Sequence, residues 1–229
     1  MYLWGLPFFM GPSILILLPA LILALYAQYK VRSTYARYAR VQTASGITAA
    51  QAAQRILAAS GISDVEIQGI RGALSDHYDP RHRVLRLSEP NSQSVAAVGV
   101  AAHEAGHAIQ HARGYKPLAL RSAIVPVANL GSQLAFPLFF LGLIFRYEPF
   151  MTIGILAFSA AVLFTLVTLP VEFDASRRAI AALRDGYLVS EEELGEVKEV
   201  LFAAALTYVA AAAMAALQLL MLLSVSRRR

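Results

Sequence analysis

The chain has 229 residues, of which 57% are hydrophobic and 15% charged, with a net charge of +5 and no cysteine. Soluble domains average about 45–50% apolar and about 25% charged residues, so an apolar excess gathered in long runs points to a membrane protein. The missing cysteine excludes disulfides, thiolate metal sites and cysteine nucleophiles, and leaves His, Asp and Glu to hold any metal; the basic residues flank the apolar runs without forming one basic face, which argues against nucleic acid as a partner.

Four apolar runs are long enough to cross a hydrocarbon core of about 30 Å. The first covers about residues 8–29. It has no basic region before it and no small-x-small cleavage site after it, so an uncleaved anchor is expected, with a signal peptide as the alternative. The basic stretch "VRSTYARYAR" (31–40) follows and is expected at the cytoplasmic headgroup level. Residues 46–62 show a helix pattern that Thr48 can cap and Gly61 can stop. Residues 64–70 alternate like a strand, and a turn at Asp79-Pro80 precedes a second alternating segment, Val84-Leu85-Arg86-Leu87. Residues 94–114 read as one helix, capped by Ser92 or Ser94 and ended by Gly114. The second and third runs, about 119–145 and 150–171, are separated only by Arg146, Tyr147, Glu148 and Pro149, which predicts a tight transmembrane hairpin. At Pro170 the third run is expected to end and a short amphipathic helix to begin. Residues 191–200 read as a solvated helix start capped by Ser190, to which no chemistry is assigned. The fourth run covers about 200–225.

Three of the five histidines fall in "AAHEAGHAIQHA". His103, Glu104 and His107 form H-E-x-x-H, which arises by chance in a chain of this composition about half a per cent of the time. Residues four apart share a helix face, so two imidazoles can converge on one cation. Glu104 points beside that face, where it can take the proton from a water activated by the metal. His111 lies about 12 Å along the helix from His103, too far for one ion, and belongs to the surroundings of the site or to the surface. The third ligand is sought in "LPVEFDASRRAIAAL", where Glu172 stands directly after about twenty apolar residues. A carboxylate there is costly without a partner, and a zinc ion is such a partner. Asp174 lies about 200° round the helix from Glu172 and is spaced for a surface ion pair with Arg177 and Arg178.

Together, "SDHYDPRHRVLRLSE", "VGVAAHEAGHAIQHA" and "LPVEFDASRRA" resemble the YugP-like bacterial membrane zinc metallopeptidases over nearly the whole chain. The resemblance implies a zinc peptidase at the membrane with one Zn2+ per chain, His103 and His107 as ligands and Glu104 as base. A more distant similarity connects the chain to the membrane gluzincins of the HtpX and CAAX-prenyl protease type. It implies Glu172 as third ligand. Those proteins carry an aspartate four residues further on, where this chain has Ser176, and Asp174 is the nearby acid. The likeness also implies substrate pairing along a strand edge beside the active-site helix, for which Val84–Leu87 is the candidate, with His77 or Tyr78 stabilising the oxyanion.

The expected fold is a mainly α integral membrane protein with about four transmembrane helices and a small gluzincin-like α+β catalytic segment, an HExxH helix beside a short β-hairpin. Residues 1–30 form the anchor, 31–118 the catalytic segment, 119–171 the transmembrane hairpin, 172–199 the third-ligand helix and polar linker, and 200–229 the last transmembrane helix with a basic tail. The expected function is a zinc endopeptidase in the plasma membrane, its site on the cytoplasmic face, acting on protein or peptide substrates that include membrane-protein segments. The alternatives are a membrane metal-binding or transport protein and a scaffold without catalysis. Lys30, Arg32, Arg37 and Arg40 place the catalytic segment inside, and four crossings then put the C-terminus outside, whereas the final "RRR" prefers the inside.

Overall fold

The computed structural model describes residues 15–227. In chain order the elements are α1 (Leu18–Tyr38), α2 (Ala49–Ala59), β1 (Glu66–Gly69), β2 (His77–Asp79), β3 (Val84–Leu87), α3 (Val95–Ala112), α4 (Lys116–Phe145), α5 (Glu148–Asp185) and α6 (Glu191–Arg227). The chain divides into two compact units. One takes Tyr29–Ala119 and Pro170–Leu206, and the other the chain up to Gln28, Leu120–Leu169 and the chain from Thr207 on.

The first of these units contains α2, the sheet and α3 complete. Local chemistry sets the helix starts. Thr48 and Gln51 exchange side-chain to backbone hydrogen bonds in a capping box, and the Ser94 hydroxyl accepts the amide of Ala97. Ser190 and Glu193 form a second box at the head of α6. Gly61 takes a positive φ of 74° just past α2, as a helix-ending glycine does. The core is built around α3, whose Ala96, Ala101, Ala102 and Ala105 are all fully buried. Such small side chains let neighbouring elements approach from several sides. Ile56 and Leu57 of α2, Leu85 and Leu87 of β3, and Leu183 and Val197 pack into the same core.

The sheet has the order β1-β3-β2, with β1 parallel and β2 antiparallel to β3. β3 is therefore the central strand. Both of its edges are already hydrogen-bonded, so it cannot accept a substrate by strand addition as its sequence suggested. As a central strand it is buried on both faces, with Val84, Leu85 and Leu87 in the interior and only Arg86 partly exposed. The edge beside α3 belongs to β2.

Helix α5 also differs from expectation. Pro170 lies inside it, and no second helix begins there. An interior proline costs about 3 kcal/mol. Against that, Val171, Ala175, Ala179 and Leu183 form a stripe that is fully buried. Burying a Val or Leu side chain contributes about 1.5–3 kcal/mol each, so Val171 and Leu183 alone offset the proline.

In the other unit, small residues bring helices into close contact. A Cβ on Gly131 would stand 2.5 Å from the Ala157 carbonyl oxygen, and one on Gly154 would stand 2.7 Å from that of Ala135. Phe139, Leu143, Met151 and Phe158 fill the space between, together with Ala215 and Leu222 of α6. Only Arg146 and Tyr147 connect α4 to α5, with Arg146 at φ 55°. Among the described residues, α4, α5 and α6 are the three helices long and apolar enough to cross a membrane. The first apolar run begins outside the described residues. Its described part lies in α1, which continues through most of the basic 31–40 stretch. Arg228 and Arg229 of the terminal arginine run also lie outside the described residues.

Candidate metal centre

The site forms where α3 meets the part of α5 beyond Pro170. Gly106 permits the approach: a Cβ there would lie 2.5 Å from the Ala175 carbonyl oxygen. With the two backbones this close, His103 and His107 on one face of α3 meet Glu172 on α5. His103 Nε2 is 3.2 Å and His107 Nε2 3.6 Å from the same oxygen, Glu172 Oε2. One ligand atom from each of the three residues lies within 4.8 Å of the others. Glu172 is 2% exposed, and a carboxylate this buried is costly unless paired.

Each imidazole is held from behind. His103 Nδ1 and the Ser176 hydroxyl are 3.0 Å apart. His107 Nδ1 lies 3.0 Å from Gln110 Oε1. Gln110, fully buried, donates through Nε2 to the Val171 carbonyl and to Asp174 Oδ2. Asp174 in turn accepts from Arg177 and Arg178. The spacing of those arginines had suggested a surface pair. The aspartate is in fact 5% exposed and tied into the site through Gln110. Burial works against a charged His107, but the hydrogen bond that its ring donates to Glu172 and the nearby Glu104 and Glu172 charges outweigh it and raise its pKa.

Glu104 is buried, and its Oε2 accepts the backbone N–H of Tyr78 at 2.8 Å. This bond brings the outer edge of β2 against the glutamate. The Tyr78 hydroxyl is 2.8 Å from His111 Nδ1, with the two rings tilted at 52°. Burial, followed by the Asp79 charge, raises the Tyr78 pKa, so its phenol keeps its proton. His77 is turned elsewhere: Nδ1 donates to the Ser75 carbonyl, which leaves Nε2 to accept from Arg86. The structure therefore brings His103, His107 and Glu172 together, sets Ser176 behind His103 and links Asp174 to His107 through Gln110, joins Glu104 to the Tyr78 amide and the Tyr78 hydroxyl to His111, and leaves the His77 ring occupied within the sheet. Sequence reading missed Gln110. The available signal was a polar side chain one turn after His107 that the H-E-x-x-H pattern does not call for.

Residues 13–227 match the protein family described as "Putative neutral zinc metallopeptidase". The chain belongs to this zinc metallopeptidase family. It is also 47% identical over 210 residues to the Bacillus subtilis (strain 168) protein named "Putative membrane protease YugP", a match covering 90% of this chain and 93% of that protein. No solved structure shows significant similarity to it.

The donor set of this family member is compatible with zinc. Zinc bonds of about 2.0–2.1 Å at tetrahedral angles place ligand atoms about 3.4 Å apart. The two separations to Glu172, 3.2 and 3.6 Å, bracket that value, and the three ligand atoms all lie within 4.8 Å of one another. Two nitrogens and one carboxylate oxygen make three protein ligands, the number that leaves a fourth position open in catalytic sites.

Proposed function

We propose that this protein is a zinc-dependent endopeptidase with one Zn2+ per chain, held by His103, His107 and Glu172. The observation that carries this reading is the convergence of both Nε2 atoms on a single oxygen of a buried carboxylate, with Glu104 fixed beside them. A zinc ion bound there supplies Lewis acidity that lowers the pKa of water and polarises a peptide carbonyl.

The protein's own residues do the rest. Glu104, one residue after the first histidine, takes the proton from the attacking water and passes it to the leaving amine. The Tyr78 amide holds Oε2 and so sets the direction of the carboxylate. The protonated Tyr78 phenol, paired with His111, donates to the oxyanion as charge develops. Ser176 and Gln110 hold the two imidazoles in place. The substrate backbone aligns along the outer edge of β2, the strand whose amide already meets Glu104.

The protein crosses the plasma membrane several times. The basic residues that follow the first apolar run orient the site to the cytoplasmic face. Substrates are unfolded or loop segments, those of membrane proteins included. Because the chain has no cysteine, single-cysteine labelling at position 146 reads the topology cleanly.

The test is Glu104→Gln in the detergent-purified chain. It should abolish chelator-sensitive cleavage of an unstructured protein and leave zinc content unchanged. A metal carrier would keep its ion movement in this variant, and proteolysis persisting in the variant would refute the role of Glu104.

A further inference from the structure

We propose that Gln110 is a positioning residue that locks His107 in the Nδ1–H tautomer and so presents its Nε2 lone pair to the metal. The inference rests on the zinc reading above and adds a residue to it.

The argument is one of donors and acceptors. The Gln110 amide touches three groups: His107 Nδ1, the Val171 carbonyl oxygen at 2.8 Å and Asp174 Oδ2 at 2.9 Å. A carbonyl oxygen only accepts, and so does the carboxylate of Asp174, which two arginines hold in its charged form. Both therefore require the amide nitrogen. Flipping the amide would set its oxygen against two acceptors and its nitrogen against the ring. The orientation is thus fixed, and Oε1 faces His107. An amide oxygen also only accepts, so Nδ1 of a neutral His107 must carry the hydrogen. The lone pair then resides on Nε2, the atom that faces Glu172 Oε2.

His103 is held differently. Its Nδ1 meets the Ser176 hydroxyl, which can rotate to donate or to accept. Hence His107 is preset while His103 adjusts. Gln110 lies at zero exposure, so bulk solvent does not compete for its bonds.

The experiment uses the full chain in detergent with 15N-labelled histidine, stripped of metal, at a pH where the imidazoles are neutral. The His107 signals, assigned by difference from His107→Ala, should report Nδ1–H. In Gln110→Leu that signature should be lost, and zinc affinity measured by chelator competition should fall 10- to 100-fold, the usual effect of removing such a partner. An Nε2–H tautomer in the wild-type chain overturns the proposal, as does Gln110→Leu with unchanged tautomer and affinity. If Gln110→Leu does not fold, Gln110→Met, which keeps the side-chain length without a strong acceptor, takes its place, and unchanged tautomer populations there overturn it equally. Nδ1–H in a wild-type chain that binds no zinc would sink the metal reading and leave the tautomer assignment standing.

Discussion

Gly106→Ala tests whether the close approach of α3 and α5 builds the site. The added Cβ would stand 2.5 Å from the Ala175 carbonyl oxygen, where ordinary contact begins near 3.4 Å. The backbones must part by about 0.9 Å, because a main-chain oxygen has no rotamer with which to yield. Glu172 and Ser176 flank Ala175 and move with it. Metal ligands are held to about ±0.2 Å, so this displacement is several times what the centre tolerates. Either the ligand is lost or the helices are pulled back together at an overpacking cost of about 1–3 kcal/mol. At 1.4 kcal/mol per tenfold, zinc affinity should fall about 5- to 150-fold. Intrinsic helix propensity works in the opposite direction, since alanine is favoured over glycine by about 1 kcal/mol in a helix interior. Gly195→Ala is the control, because nothing lies within 4 Å of its added Cβ. That variant should melt at or above the wild-type temperature with unchanged zinc binding. Chelator competition and thermal melts of both variants make the comparison. Wild-type zinc affinity in Gly106→Ala would refute the packing argument.

Three further outcomes are expected. Glu172→Gln removes the carboxylate on which both imidazoles converge and should abolish stoichiometric zinc in the purified protein; full retention by metal analysis would mean that another group completes the centre. Ser176→Ala should weaken zinc several-fold, and Ser176→Asp, which supplies a fixed acceptor for His103 Nδ1, should bind at least as tightly as wild type in the same competition assay. Asp79 is held below the usual carboxylate range first by His82, against the effect of burial, and then by Arg86 and the amides of His82 and Arg81. A depressed folded-state pKa means that its contribution is present above the ordinary Asp value of 3.8 and is lost as pH falls through the lowered one. Hydrogen exchange in β2 should therefore stay slow as pH drops below 3.8 and then quicken, and Asp79→Asn should remove that acid response; identical pH profiles for the two chains would contradict it.

What could be read from the sequence was whatever local chemistry decides. Thr48, Ser94 and Ser190 cap helices through bonds to residues three positions away. The limits of β3, Val84–Leu87, are those of the segment read as a strand from its residues. The step from an apolar run to Glu172 exposed an unusual carboxylate without any knowledge of the fold. The features that escaped depend on remote partners. The parallel pairing of β1 with β3 moved the candidate substrate edge to β2, and no turn signal encodes that pairing. Pro170 reads as a helix stop by itself, and only the buried stripe from Val171 to Leu183 reverses the reading. Asp174 looked like a surface ion pair because both arginines are local, while Gln110 comes from 64 residues away. Gln110 itself carries no motif, and its role appears only once α5 is placed against α3.

These dependencies meet in the register of one helix pair. Positions 172 and 176 on α5 are one turn apart, as are 103 and 107 on α3, so a single approach brings His103 to both Glu172 and Ser176. The same approach sets Val171 and Asp174 against Gln110. Sliding α5 by one residue would rotate its side chains by about 100° and break all of these contacts together. A site of this kind does not degrade gradually. Substitutions that shift the helices should lose zinc and the hydrogen bonds behind both imidazoles in one step, whereas those that remove a single partner should weaken binding and leave the remaining contacts intact. The difference can be measured, because Gly106→Ala belongs to the first class and Ser176→Ala to the second. If Gly106→Ala lowered zinc affinity without disturbing the His107 ring signals, the two histidine supports would have to be independent of helix register.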